Sequence, residues 1–492
     1  MTSASPRTPR AALLVSIVTL ASLVPLASIL LAPTPAQGAP ASSSNEIAAA
    51  IEAQLDVTAA IPAAYGVIDG DEVITGTHGD GDVDQPFIIG SVSKSFTALA
   101  ALTYVDDGSL DLDAAVTEYV PEFTLAEPTS EPLRVRHLLQ HTTGLSFSEC
   151  NADFATPLAT IDERVRDMET AVPVHEPGTE FEYCNVGYAL LAHLIERIGG
   201  GAYSDLLRER VLDPLGMHAT YTDVESAERA GLAVAHQTFM GVPFQRPEEW
   251  RSGAVPDGYI ISTVNDMLTY AAFHLGDGTT AAGERLVSAE TLHEMHSPAF
   301  AFPGSEGTVD DAYGFGLFVG EVNGHRIVSH GGDTLGYHAD LVMLPDEGRA
   351  AVILTAGQLF SGTPVVASGA TAVLTGEPAN TVPMYAIATA SLWGLLILVI
   401  AMVVVSLVRS RRRRANGRVP RRWGGIASVI AGVTMAVGVI VLAWILGQSV
   451  GFGVVYLWRT ALDALIILAL ASIVPIWIGV RAMVQRRAVS RV

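Results

Sequence analysis

Lysine is nearly absent from this chain. Of 29 basic residues among 492, 28 are arginine and one, Lys94, is lysine. Arginine stays protonated in a protein, whereas a buried lysine can release its proton and act as a base. In a sequence that uses arginine wherever a fixed charge will do, the lone Lys94 points to work that arginine cannot perform; an accident of composition is the alternative. Acidic residues are missing from one end. Residues 381–492 hold thirteen arginines and a single acid, Asp463, for a net charge of +12, which leaves −34 on the rest of a chain whose total is −22. An acidic body lacks the positive face that nucleic acid requires, so a nucleic-acid-binding body is excluded. The mean hydropathy of +0.37, with its apolar excess at the two ends, excludes one soluble globule. There is no Gly-x-Ser-x-Gly elbow, phosphate loop, internal repeat or low-complexity segment outside the ends. His293-Glu-Met-His296 lacks the four-residue histidine spacing of a zinc protease and reads as helix surface.

The two ends read as membrane-directed. Arg7 and Arg10 precede an apolar run from Ala11 to Ala32, then small residues, which predicts a signal peptide over 1–38. An uncleaved anchor is the alternative. Three apolar stretches near the other end, Met384–Val408, Gly424–Gly447 and Ala461–Val480, each reach the roughly 20 residues a span needs. Arginines crowd the first connection (Arg409, Arg411–Arg414, Arg418, Arg421, Arg422) and follow the third stretch, whereas the second connection carries only Arg459. The positive-inside rule then places the Arg-rich loop and the C-terminus in the cytoplasm, and residues between about 40 and 380 outside. Asp463 is read as interfacial. Cys150 and Cys184, the chain's two cysteines, both fall in the exported region. An oxidising compartment permits a bond between them, and two free thiols are the alternative.

Within the exported region, Ser43-x-x-Glu46 predicts a capping box opening a helix over 45–56. Asp69-Gly70 predicts a hairpin between strands 64–68 and 72–75. A helix is expected over 91–106, helices broken by Pro-Gly and Asp-Gly turns over 110–300, and strands again at 313–320, 326–329, 339–344 and 350–355. Strands at both ends with helices between them predict an antiparallel sheet closed by both termini, carrying a helical insertion. Residues 371–383 are the expected linker to the first span.

Ser91-Val-Ser-Lys94 places a hydroxyl and the only amine three residues apart, on one face of a helix start. Serine is a poor nucleophile until a base takes its proton, and a desolvated lysine can be that base. A helix N-terminus adds free N–H groups near a developing oxyanion. Tyr183-Cys184-Asn185 precedes a helix over 186–198; a tyrosine near a lysine can shuttle protons, and an asparagine can orient the lysine or hold a substrate amide. His330-Gly331-Gly332 follows a strand, and two glycines let a substrate backbone approach a strand edge. His330 is a candidate donor to a substrate carboxylate or a member of the proton network. Each motif alone also has an ordinary structural reading.

Together, in this order, the three motifs resemble the active-site set of the serine β-lactamase and penicillin-binding-protein superfamily. The Tyr-x-Asn form is that of class C β-lactamases, D-alanyl-D-alanine carboxypeptidases and related esterases. Leu138-Leu-Gln-His-Thr-Thr-Gly-Leu145 and Pro177-Gly-Thr-x-Phe-x-Tyr183 are similar to supporting segments of that family, and the resemblance covers residues 45–370. It implies an α+β fold, an antiparallel sheet flanked by helices with a helical subdomain and the site between them. It also implies an acyl-enzyme mechanism without metal or cofactor. Ser91 would be the nucleophile, with Lys94 and Tyr183 sharing base and acid work. Asn185, His330 and Gly332 would bind substrate, and the backbone N–H groups of Ser91 and Asp333 would form the oxyanion hole. His141 matches a structural residue of the family, and Tyr313-Gly-Phe-Gly316 reads as packing.

Two departures bear on substrate. His330 stands where many β-lactamases carry lysine, and Asp333 adds a carboxylate beside the expected oxyanion position. In this superfamily the segment before Cys150 runs beside the Tyr183 loop, so a Cys150–Cys184 bridge is expected. The resulting expectation is a membrane-tethered extracytoplasmic serine hydrolase acting on a peptidoglycan D-amino-acid peptide or related amide. An esterase of the same superfamily and a slowly acylating sensor are the alternatives.

Overall fold

The computed structural model describes residues 43–56, 61–151, 159–239, 242–302, 311–357, 384–416 and 462–489, with short pieces around 371–375 and 428–434. The first helix, α1 (Ser44–Asp56), starts where the sequence predicts: the Ser43 backbone N–H donates to the Glu46 carboxylate, and the Glu46 N–H donates to Ser43 Oγ. Ile47, Ala48, Ile51 and Leu55 form its buried stripe. Each of the larger side chains contributes about 1.5–3 kcal/mol on burial, more than helix propensity can, so packing holds α1 in place.

An eight-stranded antiparallel sheet is the centre of the domain. In chain order its strands are β1 (Ala63–Asp69), β2 (Glu72–His78), β3 (Phe300–Ala301), β4 (Ala312–Tyr313), β5 (Phe318–Val322), β6 (His325–Asp333), β7 (His338–Leu344) and β8 (Arg349–Thr355). Across the sheet they lie β2-β1-β8-β7-β6-β5-β4-β3. The first strand therefore pairs with the last, Ala63 opposite Thr355 and Asp69 opposite Arg349, and the ends of the domain close the sheet as expected.

Period-two alternation sorts the strand side chains between two cores. Tyr65, Val67, Val342, Leu344, Ala351 and Ile353 face α1. Ala64, Leu341, Met343, Val352 and Leu354 face the larger core built with α2 (Ser93–Asp106) and the helices of the insertion. Those helices include α3 (Phe147–Cys150), α4 (Ile161–Met168), α5 (Asn185–Gly199) and α6 (Val264–His274).

Two expectations need correction. The strand expected over 313–320 is broken, because the chain reverses between Tyr313 and Phe318, which pair with each other. Gly316, at φ +73°, makes the reversal where a Cβ would lie 2.8 Å from the Lys94 carbonyl oxygen. His296 is not on a helix surface: it is buried, with Nε2 2.8 Å from His274 Nδ1, while His293 is exposed.

Helices α7 (Met384–Ala415) and α8 (Leu462–Val489) are long and apolar enough to cross a membrane. The first runs on through Arg409 to Ala415, past the expected end at Val408. The expected leader over 1–38, most of the expected span Gly424–Gly447 and most of the linker over 371–383 lie outside the described residues.

A disulfide joins Cys150, at the end of α3, to Cys184, just before α5, with the Cα atoms 4.5 Å apart. It closes a loop 34 residues long in sequence separation. Replacing both cysteines by serine should lower stability by about 2–4 kcal/mol, read as a drop in the unfolding midpoint. An unchanged midpoint would show that packing alone holds these two loops.

Candidate active site

Lys94 lies in the first turn of α2, after the tight turn Gly90–Val92 that carries Ser91. The three-residue spacing puts both side chains on one face, and Lys94 Nζ donates to Ser91 Oγ at 3.2 Å. The amine is fully buried. Its shorter bond, 2.6 Å, goes to the backbone carbonyl of Asp257. The Asp257 carboxylate points elsewhere, into a buried ion pair with Arg164 of α4 (Nη1 to Oδ1, 2.5 Å; Nη2 to Oδ2, 3.2 Å). Arg164 also donates to the Gly253 carbonyl. The sequence presents Asp257-Gly258 as a turn signal and Arg164 as one helix arginine among several. Neither reads as a site residue, because the atom that matters is a backbone oxygen.

Tyr183 brings its ring beneath the amine, with Lys94 Nζ 4.7 Å from the ring centroid. Burial pushes the phenol well above its ordinary range; a hydrogen bond with Ser91 opposes that rise. Behind Tyr183 stands His141, in a left-handed backbone conformation (φ 57°), its Nδ1 accepting from the Cys184 N–H at 3.0 Å. Burial holds His141 well below its ordinary pKa, so the ring is neutral, and it packs against Tyr183 at 4.3 Å.

Asn151, adjoining the disulfide, was not singled out in the sequence. It is buried. Its Nδ2 donates to the carbonyls of Phe147 (2.7 Å) and Tyr183 (2.9 Å), and its Oδ1 accepts from Asn185 Nδ2 (2.7 Å). Its only sequence signal is its place next to Cys150.

His330 sits on β6 with both ring nitrogens in use. Nδ1 is 2.6 Å from the Gly331 carbonyl and Nε2 is 3.2 Å from the Tyr313 hydroxyl. A carbonyl only accepts, so Nδ1 carries the proton and Nε2 accepts from Tyr313. Burial, then the charge of Lys94, holds the His330 pKa down to about 3, and the ring is neutral at physiological pH. Donation to a substrate carboxylate, one role allowed above, is thus not available in this arrangement. Tyr313, read from sequence as packing alone, supplies the bond to Nε2.

Two glycines let the strand edge meet the Ser91 turn. A Cβ on Gly332 would lie 2.0 Å from the Ile89 oxygen and 2.8 Å from the Ser91 nitrogen; one on Gly90 would lie 2.5 Å from the Asp333 nitrogen. Because neither exists, the backbone N–H groups of Ser91 and Asp333 come to the same seam. The Asp333 carboxylate turns to His338, whose Nδ1 lies 2.8 Å from Asp333 Oδ1 and whose Nε2 lies 2.8 Å from Asp340 Oδ2. With a carboxylate on each nitrogen, the His338 pKa is raised well above its ordinary value despite burial. A cavity of about 270 Å³ opens beside Ser91, Tyr183, Asn185, His330 and Asp333, with Arg251 on its wall. All seven predicted site residues therefore meet at one place. The arrangement offers a hydroxyl with an adjacent amine, a phenol against both, and two backbone donors at one seam: the parts needed to add a nucleophile to a carbonyl and stabilise the resulting oxyanion.

The Beta-lactamase family model matches residues 47–371. The chain is 29% identical over 282 residues to penicillin-binding protein 4 of Amycolatopsis lactamdurans, covering 56% of this chain and 73% of that one. Its structure is similar to that of the octameric penicillin-binding protein homologue from Pyrococcus abyssi, with a TM-score of 0.60 and 26% identity over 68% of this chain and 78% of that one. It is also similar to D-amino acid amidase from Ochrobactrum anthropi SV3 (TM-score 0.54, 25% identity, 67% of this chain and 97% of that one).

Replacing Gly332 by alanine forces Cβ into backbone, which cannot move aside as a flexible side chain would. Labelling of Ser91 by an acylating probe should fall on the order of 10²-fold, the loss expected when one oxyanion donor is displaced. Retained labelling would show that the seam tolerates a Cβ.

A second expectation concerns pH. The pKa values of His137 (about 4), His296 (about 3) and His330 (about 3) are lowered from 6.5, each chiefly by burial. The unfolded chain then binds more protons than the folded one below pH 6.5. Their contribution to stability is fully present above 6.5 and is lost as pH falls through the folded values. His338 has the opposite sign, and its contribution is already fully present below pH 6.5. The melting temperature should therefore decline from pH 6.5 to pH 4. A flat profile over that range would contradict burial of these rings.

Proposed function

The chain belongs to the Beta-lactamase family, and from that premise we propose that it is a serine hydrolase working through a covalent acyl-enzyme on a D-amino-acid peptide or related amide. The observation that carries this reading is the bond from Lys94 Nζ to Ser91 Oγ at 3.2 Å, with the amine anchored on the Asp257 carbonyl. In this mechanism the unprotonated Lys94 amine takes the proton of Ser91, directly or through the Tyr183 hydroxyl. Ser91 Oγ then bonds to the substrate carbonyl carbon, and the carbonyl oxygen gains negative charge facing the N–H groups of Ser91 and Asp333. Collapse of this intermediate breaks the bond to the leaving group, which departs with the proton held by Lys94 or Tyr183. Water repeats the sequence on the ester and frees Ser91.

Membrane tethering through α7 and α8, with the domain outside the cytoplasm, belongs to the same proposal. It rests on the two long apolar helices and on the arginines that follow each of them. A substrate of the bacterial wall fits such a position, and it fits the amide-directed and penicillin-binding names carried by the similar proteins. Asn185, His330 and Gly332 are assigned to substrate contact and the shape of the cleft, and the mechanism requires neither metal nor cofactor.

The test is covalent labelling. Wild-type protein incubated with a fluorescent penicillin or an activated acyl ester should gain one adduct, mapped to Ser91 by mass spectrometry. Lys94→Arg should lower the rate of adduct formation by about 10²–10⁴-fold while the domain still melts cooperatively, because arginine keeps the charge but cannot release its proton. Labelling of the arginine variant at the wild-type rate would remove Lys94 from the chemistry.

A further inference from the structure

His338 lies between two carboxylates, and hydrogen-bond chemistry fixes its charge. Strand register sets Asp333 of β6 opposite His338 of β7, and Gly331 opposite Asp340. Residues two apart on a strand share a face, so Asp333, His338 and Asp340 stand together and Gly331 adds no side chain among them. His338 Nδ1 lies 2.8 Å from Asp333 Oδ1, and Nε2 lies 2.8 Å from Asp340 Oδ2. A carboxylate only accepts, so both ring nitrogens donate and the ring is an imidazolium. Two carboxylates against one imidazolium leave one negative charge over. The side chains of His338 and Asp340 are each 5% exposed, whereas that of Asp333 is 51% exposed. The excess charge is therefore presented by Asp333, which lines the cavity beside Ser91.

Arg251 and Asp257 line the same cavity but lie within its wall, 7% and 5% exposed. Asp257 is paired with Arg164. The charge of Arg251 acts on the Glu248 carboxyl, which burial raises and the arginine lowers. Asp333 is thus the charge that stands out from the wall, in a cleft where water and salt screen less than on an open surface. Its field reaches the reacting groups: burial chiefly raises the Tyr183 phenol, and the charges of Asp257 and Asp333 add to that rise. The backbone N–H of the same residue is one of the two donors at the Ser91 seam, so covalent geometry keeps the carboxylate close to the carbonyl under attack.

We propose that Asp333 is a specificity-determining residue that sorts substrates by charge: the cleft takes a neutral or cationic group near the attacked carbonyl and rejects an anionic one. The inference rests on the serine-hydrolase reading and narrows it. A peptide whose free carboxylate adjoins the bond to be cut is disfavoured. A bond inside a chain, or one whose flanking carboxyl is amidated or esterified, is favoured. His338 holds the Asp333 carboxylate in place, and Asp340 offsets the charge of that histidine, so the negative charge of Asp333 is kept.

The test uses the full-length protein and two series of aryl esters. In one series the acyl chain ends in a carboxylate, a carboxamide or a trimethylammonium group; in the other the same three groups sit on the departing phenol. Comparing each variant with wild type cancels the intrinsic reactivity of each ester. In at least one series the cationic-to-anionic ratio of kcat/KM should fall by about tenfold or more from wild type to Asp333→Asn, which removes the charge at nearly constant shape. Asp333→Ala, which also gives up the contact with His338, should give a similar fall. Salt at about 1 M should shrink the wild-type ratio far more than that of either variant. The series that responds identifies which side of the carbonyl faces Asp333. A purely structural role predicts that all esters slow together with the ratio kept. Equal ratios in wild type and both variants, in both series, overturn the proposal while acylation of Ser91 still stands. Failure of every ester to acylate Ser91 brings down the hydrolase reading and the proposal with it.

Discussion

The bond between the Lys94 amine and the Asp257 carbonyl is the interaction on which the rest of the site depends. A fully buried amine has to satisfy its donors, and a backbone oxygen does so without adding the formal charge that would hold the proton in place. The arrangement requires the Asp257 backbone to be fixed, and the Arg164–Asp257 pair fixes it. Breaking such a buried pair by removing one partner typically costs 3–5 kcal/mol, against about 1 kcal/mol for an ordinary hydrogen bond, so the carbonyl is held by the stronger of the two interactions. Arg164 belongs to α4 in the helical insertion and Lys94 to α2 at the sheet. One chain of contacts thus joins the two halves of the domain at the serine.

Around that chain, each part of the cleft is set by backbone as much as by side chain. His141 reads the Cys184 N–H and backs the Tyr183 ring. Asn151 reads the Tyr183 carbonyl and turns Asn185. His330 closes on its neighbouring carbonyl and on Tyr313, so it shapes the wall and stays neutral. Gly90 and Gly332 contribute by what they omit. Two carboxylates of the cleft have charged partners: Asp257 with Arg164, and Asp333 with a His338 that lies between two carboxylates.

Much of this was legible in the sequence. The capping box at Ser43, the hairpin at Asp69-Gly70 and the alternating strands carry local signals, and the sheet that joins first strand to last follows from strands at both ends. Ser91, Lys94, Tyr183, Asn185, His330, Gly332 and Asp333 could be named because their residue types, spacing and order make a known pattern, and the lone lysine sharpened it. Asn151, Arg164 and Asp257 could not. Their partners lie 34, 93 and 163 residues away for the pairs Asn151–Asn185, Arg164–Asp257 and Lys94–Asp257, and one of the atoms involved is a peptide oxygen that every residue possesses. The reversal at Gly316 has no local signal for a similar reason. Residues 313–320 look like one strand until α2 is seen to pass at Lys94. His293-Glu-Met-His296 reads as helix surface from its spacing, and the partner that buries His296 is His274 on a different helix.

The central claim is that Lys94 serves as a base, and the composition of the chain makes this directly measurable. With one lysine in 492 residues, protein grown on ¹³C-labelled lysine gives a single set of side-chain resonances, and the Cε shift followed against pH reports the protonation of Lys94 alone. The account predicts titration well below the ordinary lysine value, as a buried amine that gives up its proton to serve as a base requires. Titration near the ordinary lysine value of about 10.4 would contradict it, because Lys94 would then be a fixed charge of the kind this sequence otherwise makes from arginine.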